Sequence, residues 1–452
     1  MTTSDAPRET RPAPLQQGLF FHTAFDVEGQ DIYTTQLTLD FDGRIDPAAL
    51  ADACQAVQRR HDSLRSGFRT DAAGEPVRFV VPDPPLDLRV VELTGEDPEA
   101  LRAEADRVTR EERLRRFDLG RPPLIRFLLI RLTEDRWRFA LTNHHIMLDG
   151  WSTSVLLDEL IDVYENGARQ ADEAPAPTYT AYLDWLADTD PDEAHAAWDE
   201  ALSGIEEPTL VAPEATGRGA VVPRRVLRTL SPDRSAALAE RARHCGVTLN
   251  TVAQVAWGLV LRRLTGRDDV LFGMTVSGRT ADVEGIESMV GLLINTLPAR
   301  VRTDPADSIA DVLERVQDAQ LDLFEHHHLG LTEIQRRAGF GSLFDTTTAF
   351  ENYPTAGALR LGDAICVDVG GFDATHYPLS LICTPGEALG IRLDYRPDLF
   401  GRDEAERYCD WFVRVLEAIA DDPEQPVGEL SVLSAEERHR ILVEWNDTRR
   451  PV

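Results

Sequence analysis

The sequence predicts an α/β protein of two lobes. Three observations carry this. The chain has 452 residues, more than one ordinary hydrophobic core accommodates. Stretches with period-two apolar alternation are interleaved with stretches of helical period along its whole length. A segment rich in Ala and Pro, residues 168–178, falls between two such series and reads as a linker. The expected division is residues 1–170, residues 171–433 and a polar tail, 434–452.

Tyr33, Thr35, Leu37, Leu39 and Phe41 alternate with polar residues, which predicts a half-buried strand. Residues 47–60 place Leu50, Cys54 and Val57 on one helical face. Leu124–Leu132 reads as an apolar strand. Trp137, Phe139 and Leu141 mark the next, and Thr133, Glu134 and Asp135 supply a hairpin turn. A helix follows, with Ser152 as its expected cap and Asn166-Gly167 as its stop. In the second series, 249–264, 308–324 and 403–421 read as helices. Strands are expected at 270–274, 290–301 and 344–351.

Composition narrows function. Net charge is −31, so a phosphate backbone would be repelled on average and nucleic acid is not expected as a partner. No apolar run is long enough to cross a bilayer, and the polar start Met1-Thr2-Thr3-Ser4-Asp5 has no signal-peptide core. A soluble cytoplasmic protein is the expectation. All 47 basic residues are arginine, which excludes lysine-dependent Schiff-base, pyridoxal phosphate and P-loop chemistry. The five cysteines are scattered, with no CxxC pair, and suggest neither disulfides nor zinc.

The segment Asn143-His144-His145-Ile146-Met147-Leu148-Asp149-Gly150-Trp151-Ser152 lies where a strand pattern ends and a helix begins. Imidazole exchanges protons near neutral pH, and a strand end can face a cavity. Adjacent histidines point to opposite faces of a strand, so they do not converge on a metal. The run His326-His327-His328 reads as a solvated loop or helix end for the same reason.

This stretch resembles the signature of condensation domains from nonribosomal peptide synthetases. Pro14-Leu15-Gln16-Gln17-Gly18-Leu19-Phe20-Phe21-His22 resembles the family's first motif, and Arg60-His61-Asp62-Ser63-Leu64-Arg65 its second. Tyr179 to Trp185 is loosely similar to the fourth. Val276-Ser277-Gly278-Arg279 and Met289 to Pro298 resemble the fifth with its lead-in. Weaker similarities lie at Glu325 to Leu331 and at Tyr377-Pro378-Leu379. The resemblance implies two chloramphenicol-acetyltransferase-like lobes forming a V-shaped pseudo-dimer with a tunnel between them.

The implied reaction joins a donor peptidyl or aminoacyl thioester to an acceptor aminoacyl thioester. Both would be presented on phosphopantetheine arms of carrier proteins, with no cofactor bound by the domain itself. His145 would be catalytic, as a base or by positioning the amine. His144 would orient it. Asp149 would be structural, paired with Arg279 or else Arg65. Gly150 would allow close backbone approach and offer an N–H to the thioester carbonyl. Trp151 and Asn295 are candidates for the substrate tunnel, with packing the commoner role for a tryptophan beside the motif and a structural hydrogen bond across the lobe interface the equal alternative for Asn295. The Pro-Leu-Gln-Gln-Gly form of the first motif resembles domains that take a donor ending in a D-residue. Leu433-Ser434-Ala435-Glu436-Glu437 through Trp445-Asn446-Asp447-Thr448 is similar to a linker into an adenylation domain, so an excised, monomeric piece of a larger enzyme is expected. Other readings are an epimerisation-type relative, a coenzyme A-dependent acyltransferase and an inactive docking platform. The first is disfavoured by the lack of a Glu-Gly-His-Gly-Arg segment.

Overall fold

Local signals in the sequence set most element boundaries. The computed structural model describes residues 9–25, 30–167, 176–215, 218–353, 359–433, 437 and 439–444. In chain order the first half runs β1 (Glu9–Thr10), α1 (Pro14–Phe25), β2 (Thr34–Asp42), α2 (Pro47–Arg60), β3 (Ser66–Thr70), β4 (Pro76–Val80), β5 (Leu88–Glu92), α3 (Pro98–Leu114), β6 (Ile125–Thr133), β7 (Arg136–His144) and α4 (Gly150–Asn166). The second half begins with α5 (Tyr179–Asp188), α6 (Asp192–Ala201), β8 (Arg224–Thr229), α7 (Pro232–His244), α8 (Leu249–Thr265), β9 (Asp269–Val276) and β10 (Asn295–Arg302). It continues with α9 (Ile309–Leu323), α10 (Leu331–Arg337), β11 (Thr346–Phe350), β12 (Arg360–Leu361), β13 (Ala364–Phe372), β14 (Leu379–Thr384), β15 (Gly390–Tyr395) and α11 (Arg402–Asp421).

Helix α2 starts where Asp46 accepts the N–H groups of Ala48 and Ala49 and Pro47 occupies the first turn. Its buried stripe is Leu50, Ala53, Cys54 and Val57. Strands β6 and β7 form the predicted antiparallel hairpin. Helix α8 is buried on all sides from Thr251 to Leu261, as expected of a helix at the centre of a lobe.

Each lobe is built on a six-stranded sheet. The first has the order β12-β13-β2-β7-β6-β5, the second β10-β9-β11-β14-β15-β8, and a small sheet β1-β4-β3 stands apart. In the second sheet β11 runs parallel to both its neighbours. Two large apolar cores follow the same division.

Three expectations need correction. The boundary at residue 170 assigned every later strand to the second lobe, yet β13 pairs antiparallel with β2 in the first lobe's sheet. Pairing along an exposed sheet edge is decided by tertiary proximity, which periodicity in one segment does not report. The strand expected over 290–301 begins only at Asn295. Residues Met289–Leu293 alternate because Val290 and Leu292 enter the first lobe's core while Met289 and Leu293 join a separate cluster with Tyr179, Tyr182 and Leu183. The cap of α4 is Asp149, not Ser152. Most of the expected linker, residues 168–175, lies outside the described residues, as does much of the polar tail. Among the described residues, no helix is long and apolar enough to cross a membrane.

Candidate active site

Strand β7 ends at His144, and the chain turns through His145 to Leu148 before α4 begins. Ile146, Met147 and Leu148 are all buried in the first lobe's core, which anchors this turn. Gln16, from the first motif, donates to the carbonyl of Ile146 at 2.8 Å. A carboxamide at that position thus fastens α1 to the back of the histidine turn.

The two imidazoles have different environments. His144 is fully buried. Its Nδ1 accepts the N–H of Ile146 at 3.1 Å, so the ring proton sits on Nε2. Nε2 faces Thr23 Oγ1 at 3.1 Å and Asp31 Oδ2 at 3.3 Å. Burial raises the Asp31 pKa, but the His144 contact and the Tyr33 N–H outweigh it and hold the carboxyl below its usual value. His145 is only half-buried. Its backbone N–H donates to the Tyr33 carbonyl at 2.8 Å, and its ring Nδ1 lies 2.8 Å from the Leu148 carbonyl. A carbonyl only accepts, so Nδ1 donates, and in the neutral ring Nε2 is the acceptor.

Asp149 works as a junction. Oδ1 accepts the Ser152 N–H at 2.7 Å, capping α4, and Oδ2 accepts the Leu293 N–H at 2.9 Å. Arg279 Nη2 approaches Oδ1 at 3.3 Å, with both side chains almost wholly buried. Arg279 also donates to the carbonyls of Ile286 and Met289. Ser152, expected as the cap, instead donates from Oγ to the Gly291 carbonyl at 2.6 Å and accepts from Gly291 N–H and Arg279. The helix carrying the motif is therefore tied to residues 289–293 by a buried polar network with its principal donors matched to acceptors.

Gly150 is the first residue of α4, and the Tyr353 ring lies directly against it. A Cβ at Gly150 would stand 2.5 Å from that ring. Only glycine fits this approach. Tyr353 escapes sequence reading because it follows β11 in a loop with no periodic signal. Asp31, Thr23 and Gln16 escape it as partners for the same reason: single polar side chains carry no spacing cue.

Arg65 and Asn295 fall outside this constellation, and Trp151 borders it. Arg65 donates to the carbonyls of Val81 and Pro82, so the alternative pairing with Asp149 is not formed. The two residues expected in a substrate tunnel both donate to backbone carbonyls. Trp151 Nε1 donates to the Glu287 carbonyl at 2.8 Å, and the Arg279 guanidinium lies 5.3 Å from its ring centroid. Asn295 donates to the carbonyls of His327 and Leu329 within the second lobe. Both satisfy backbone groups at chain turns, a role that residue type alone does not distinguish from ligand contact. The histidine run occupies a short turn after α9 and is half-buried rather than solvated. Burial and the neighbouring histidines push His327 down to about 4. Among the described residues, no group of three or more His, Cys, Asp or Glu side chains could hold a metal ion.

The second and fourth motifs meet. Asp62 pairs with Arg78 at 2.9 Å and accepts the N–H groups of Tyr179 and Thr180, capping α5 from a distance. Tyr179 in turn donates to the Leu292 carbonyl at 2.6 Å. Motif residues far apart in sequence thus converge on the segment that Asp149 and Arg279 also hold.

The family model for the Condensation domain matches residues 9–442. The chain belongs to the condensation-domain family. It is 34% identical over 451 residues to a linear gramicidin synthase of Brevibacillus parabrevis, covering 96% of this chain and 9% of that protein. It is 32% identical over 449 residues to bacitracin synthase 3 of Bacillus licheniformis, covering 97% and 7% respectively. The chain thus spans less than a tenth of these curated relatives. Among solved structures it superposes on the first condensation domain of the calcium-dependent antibiotic synthetase, in complex with a substrate analogue. The TM-score is 0.78 at 25% identity, covering 96% of this chain and 100% of that one. The X-domain from teicoplanin biosynthesis shares the fold, with a TM-score of 0.77 at 24% identity over 95% of this chain and 99% of that one. The two sheets are the chloramphenicol-acetyltransferase-like lobes of condensation domains.

Proposed function

We propose that this condensation domain forms an amide bond between two carrier-bound thioesters. The amine of an acceptor aminoacyl thioester attacks the carbonyl carbon of a donor thioester. The C–N bond forms, the C–S bond breaks, and the amine proton passes to the departing thiolate. The phosphopantetheine arms and their carrier proteins are partners from outside the domain, as is an adjacent adenylation domain.

One observation carries this reading: the Nδ1 contact of His145 with the Leu148 carbonyl leaves its Nε2 as the acceptor. That lone pair takes a hydrogen bond from the attacking amine, orients it and receives its proton in transit. Thioester aminolysis is already downhill, so orientation is the larger contribution. The N–H of Gly150, at the start of α4, polarises the donor carbonyl. Asp149 and Arg279 hold the turn that carries both. His144 takes no part in proton transfer, since both its ring nitrogens are committed.

The first motif favours a donor whose terminal residue is D-configured. The test is a mass-spectrometric condensation assay with loaded donor and acceptor carriers, comparing D- and L-donors. An amide product with the D-donor in preference to the L-donor is expected. Product with the L-donor alone would overturn the stereochemical reading. Carrier binding with no amide from either donor would overturn the enzymatic one in favour of a docking platform.

A further inference from the structure

The connection from β13 to β14 returns the chain from the first lobe's sheet to the second, and it passes beside the catalytic turn. Its residues are gripped from both sides. Asp373 binds Arg225 of β8 at 2.9 Å and pairs with Arg392 of β15, both in the second lobe. Thr375 Oγ1 lies 2.8 Å from Ser380 Oγ in β14. His376 then turns the other way: its Nδ1 lies 2.8 Å from the hydroxyl of Tyr33, at the start of β2 in the first lobe. The His22 ring from α1 lies 4.3 Å from His376, centroid to centroid.

Tyr33 is the residue whose carbonyl accepts the backbone N–H of His145. It is also buried, as a hydroxyl bearing an interior bond usually is. Burial, then the charges of His22 and Arg396, lowers His376 to about 3, so its ring stays neutral. A neutral imidazole nitrogen and a phenol hydroxyl share one short, partly buried bond.

We infer that His376 is a positioning residue for His145: its bond to the Tyr33 hydroxyl fixes Tyr33, whose carbonyl fixes the backbone of the catalytic histidine. The chemistry of the proposed condensation stays with His145. Since His376 belongs to a segment pinned to the second lobe's sheet by Asp373, the placement of the first lobe's imidazole is set partly by the second lobe. The inference rests on the proposed reaction for its kinetic arm only.

The test compares Tyr33→Phe, His376→Ala, the double variant and His376→Gln in the full chain. Single-turnover condensation is measured with loaded carriers, and the His145 ring nitrogens are followed by 15N spectroscopy of histidine-labelled protein. Tyr33→Phe and His376→Ala are each expected to slow the bond-forming step about tenfold. The acceptor-carrier KM should stay within about twofold, and the double variant should lose no more than either single one. His376→Gln, which can still accept from a hydroxyl, should regain most of the rate. The His145 signal should move in Tyr33→Phe and His376→Ala. An unchanged rate in folded Tyr33→Phe, additive losses in the double variant, or a stationary His145 signal would each overturn the inference. The spectroscopic arm needs no turnover, so it fails or succeeds separately from the proposed reaction.

Discussion

The Asp149 carboxylate accepts the backbone N–H of Leu293 at 2.9 Å, which ties the helix after the histidine turn to the segment entering β10. The same carboxylate caps its own helix through Ser152 N–H and faces the buried Arg279. One side chain thereby joins the histidine turn to the second half of the chain.

Removing that carboxylate leaves a buried guanidinium without its paired charge and two backbone donors without an acceptor. Asp149→Ala is expected to lose about 3–5 kcal/mol of stability, the usual result of breaking a buried ion pair from one side. His145→Ala removes a half-buried ring from a turn and should cost no more than about 1 kcal/mol. Urea denaturation of both variants checks the order; equal midpoints would remove the structural role assigned to Asp149.

His145→Ala should slow condensation by about 100-fold or more, the range typical of losing a positioned acid–base group. His144→Ala should instead act on stability, because its ring bridges Ile146 and the Thr23–Asp31 pair. Single-turnover rates set beside melting temperatures separate the two. A His145→Ala enzyme as fast as the parent would dismiss the catalytic assignment.

Replacing glycine by alanine within a helix ordinarily stabilises by about 1 kcal/mol. At Gly150 the sign should reverse, since the new methyl would meet the Tyr353 ring at 2.5 Å. Gly150→Ala is expected to lower both the melting temperature and the condensation rate, and adding Tyr353→Ala should recover part of the stability. A more stable Gly150→Ala would show that the ring moves aside freely.

Asp373 and Asp394 compete for two arginines, Arg225 and Arg392. Asp373 makes the closer contacts. Burial raises both carboxyls, but Arg392 and Arg225 pull Asp373 below its ordinary value. Asp394, buried with the weaker share and beside Asp373 and Glu351, is pushed up to about 6. A raised carboxyl stabilises the fold while protonated. Its contribution is present below the unfolded value near 4 and is lost as pH rises through about 6. A rise of that size corresponds to a loss on the order of 3 kcal/mol. Asp394→Asn, permanently neutral, should therefore gain stability relative to the parent as pH rises from 4 to 6, with the gap constant above 7. Urea midpoints at four pH values suffice, and a gap independent of pH would refute it.

Much of the fold is legible in the sequence because amphipathic periodicity is a local property. Helix α2 and the β6–β7 hairpin can be read from it alone, because turn residues and apolar spacing sit within each segment. The segment 289–293 reads as strand for an instructive reason. Its alternation is real, but the two faces enter two different cores instead of a sheet. Ser152 reads as a cap because a hydroxyl suits that position, yet Asp149, three residues earlier, takes it.

By itself, the sequence determined the alternation of strands and helices around the histidine motif and the family signature, and it singled out His145 as the candidate group. It did so because period, capping chemistry and motif spacing act between near neighbours. Only the tertiary structure decided that β13 crosses into the first sheet, that Arg279 and not Arg65 meets Asp149, that Tyr353 meets Gly150 and that His376 meets Tyr33. Those contacts join residues more than a hundred positions apart. They follow from how two packed cores sit against each other, which no local pattern encodes.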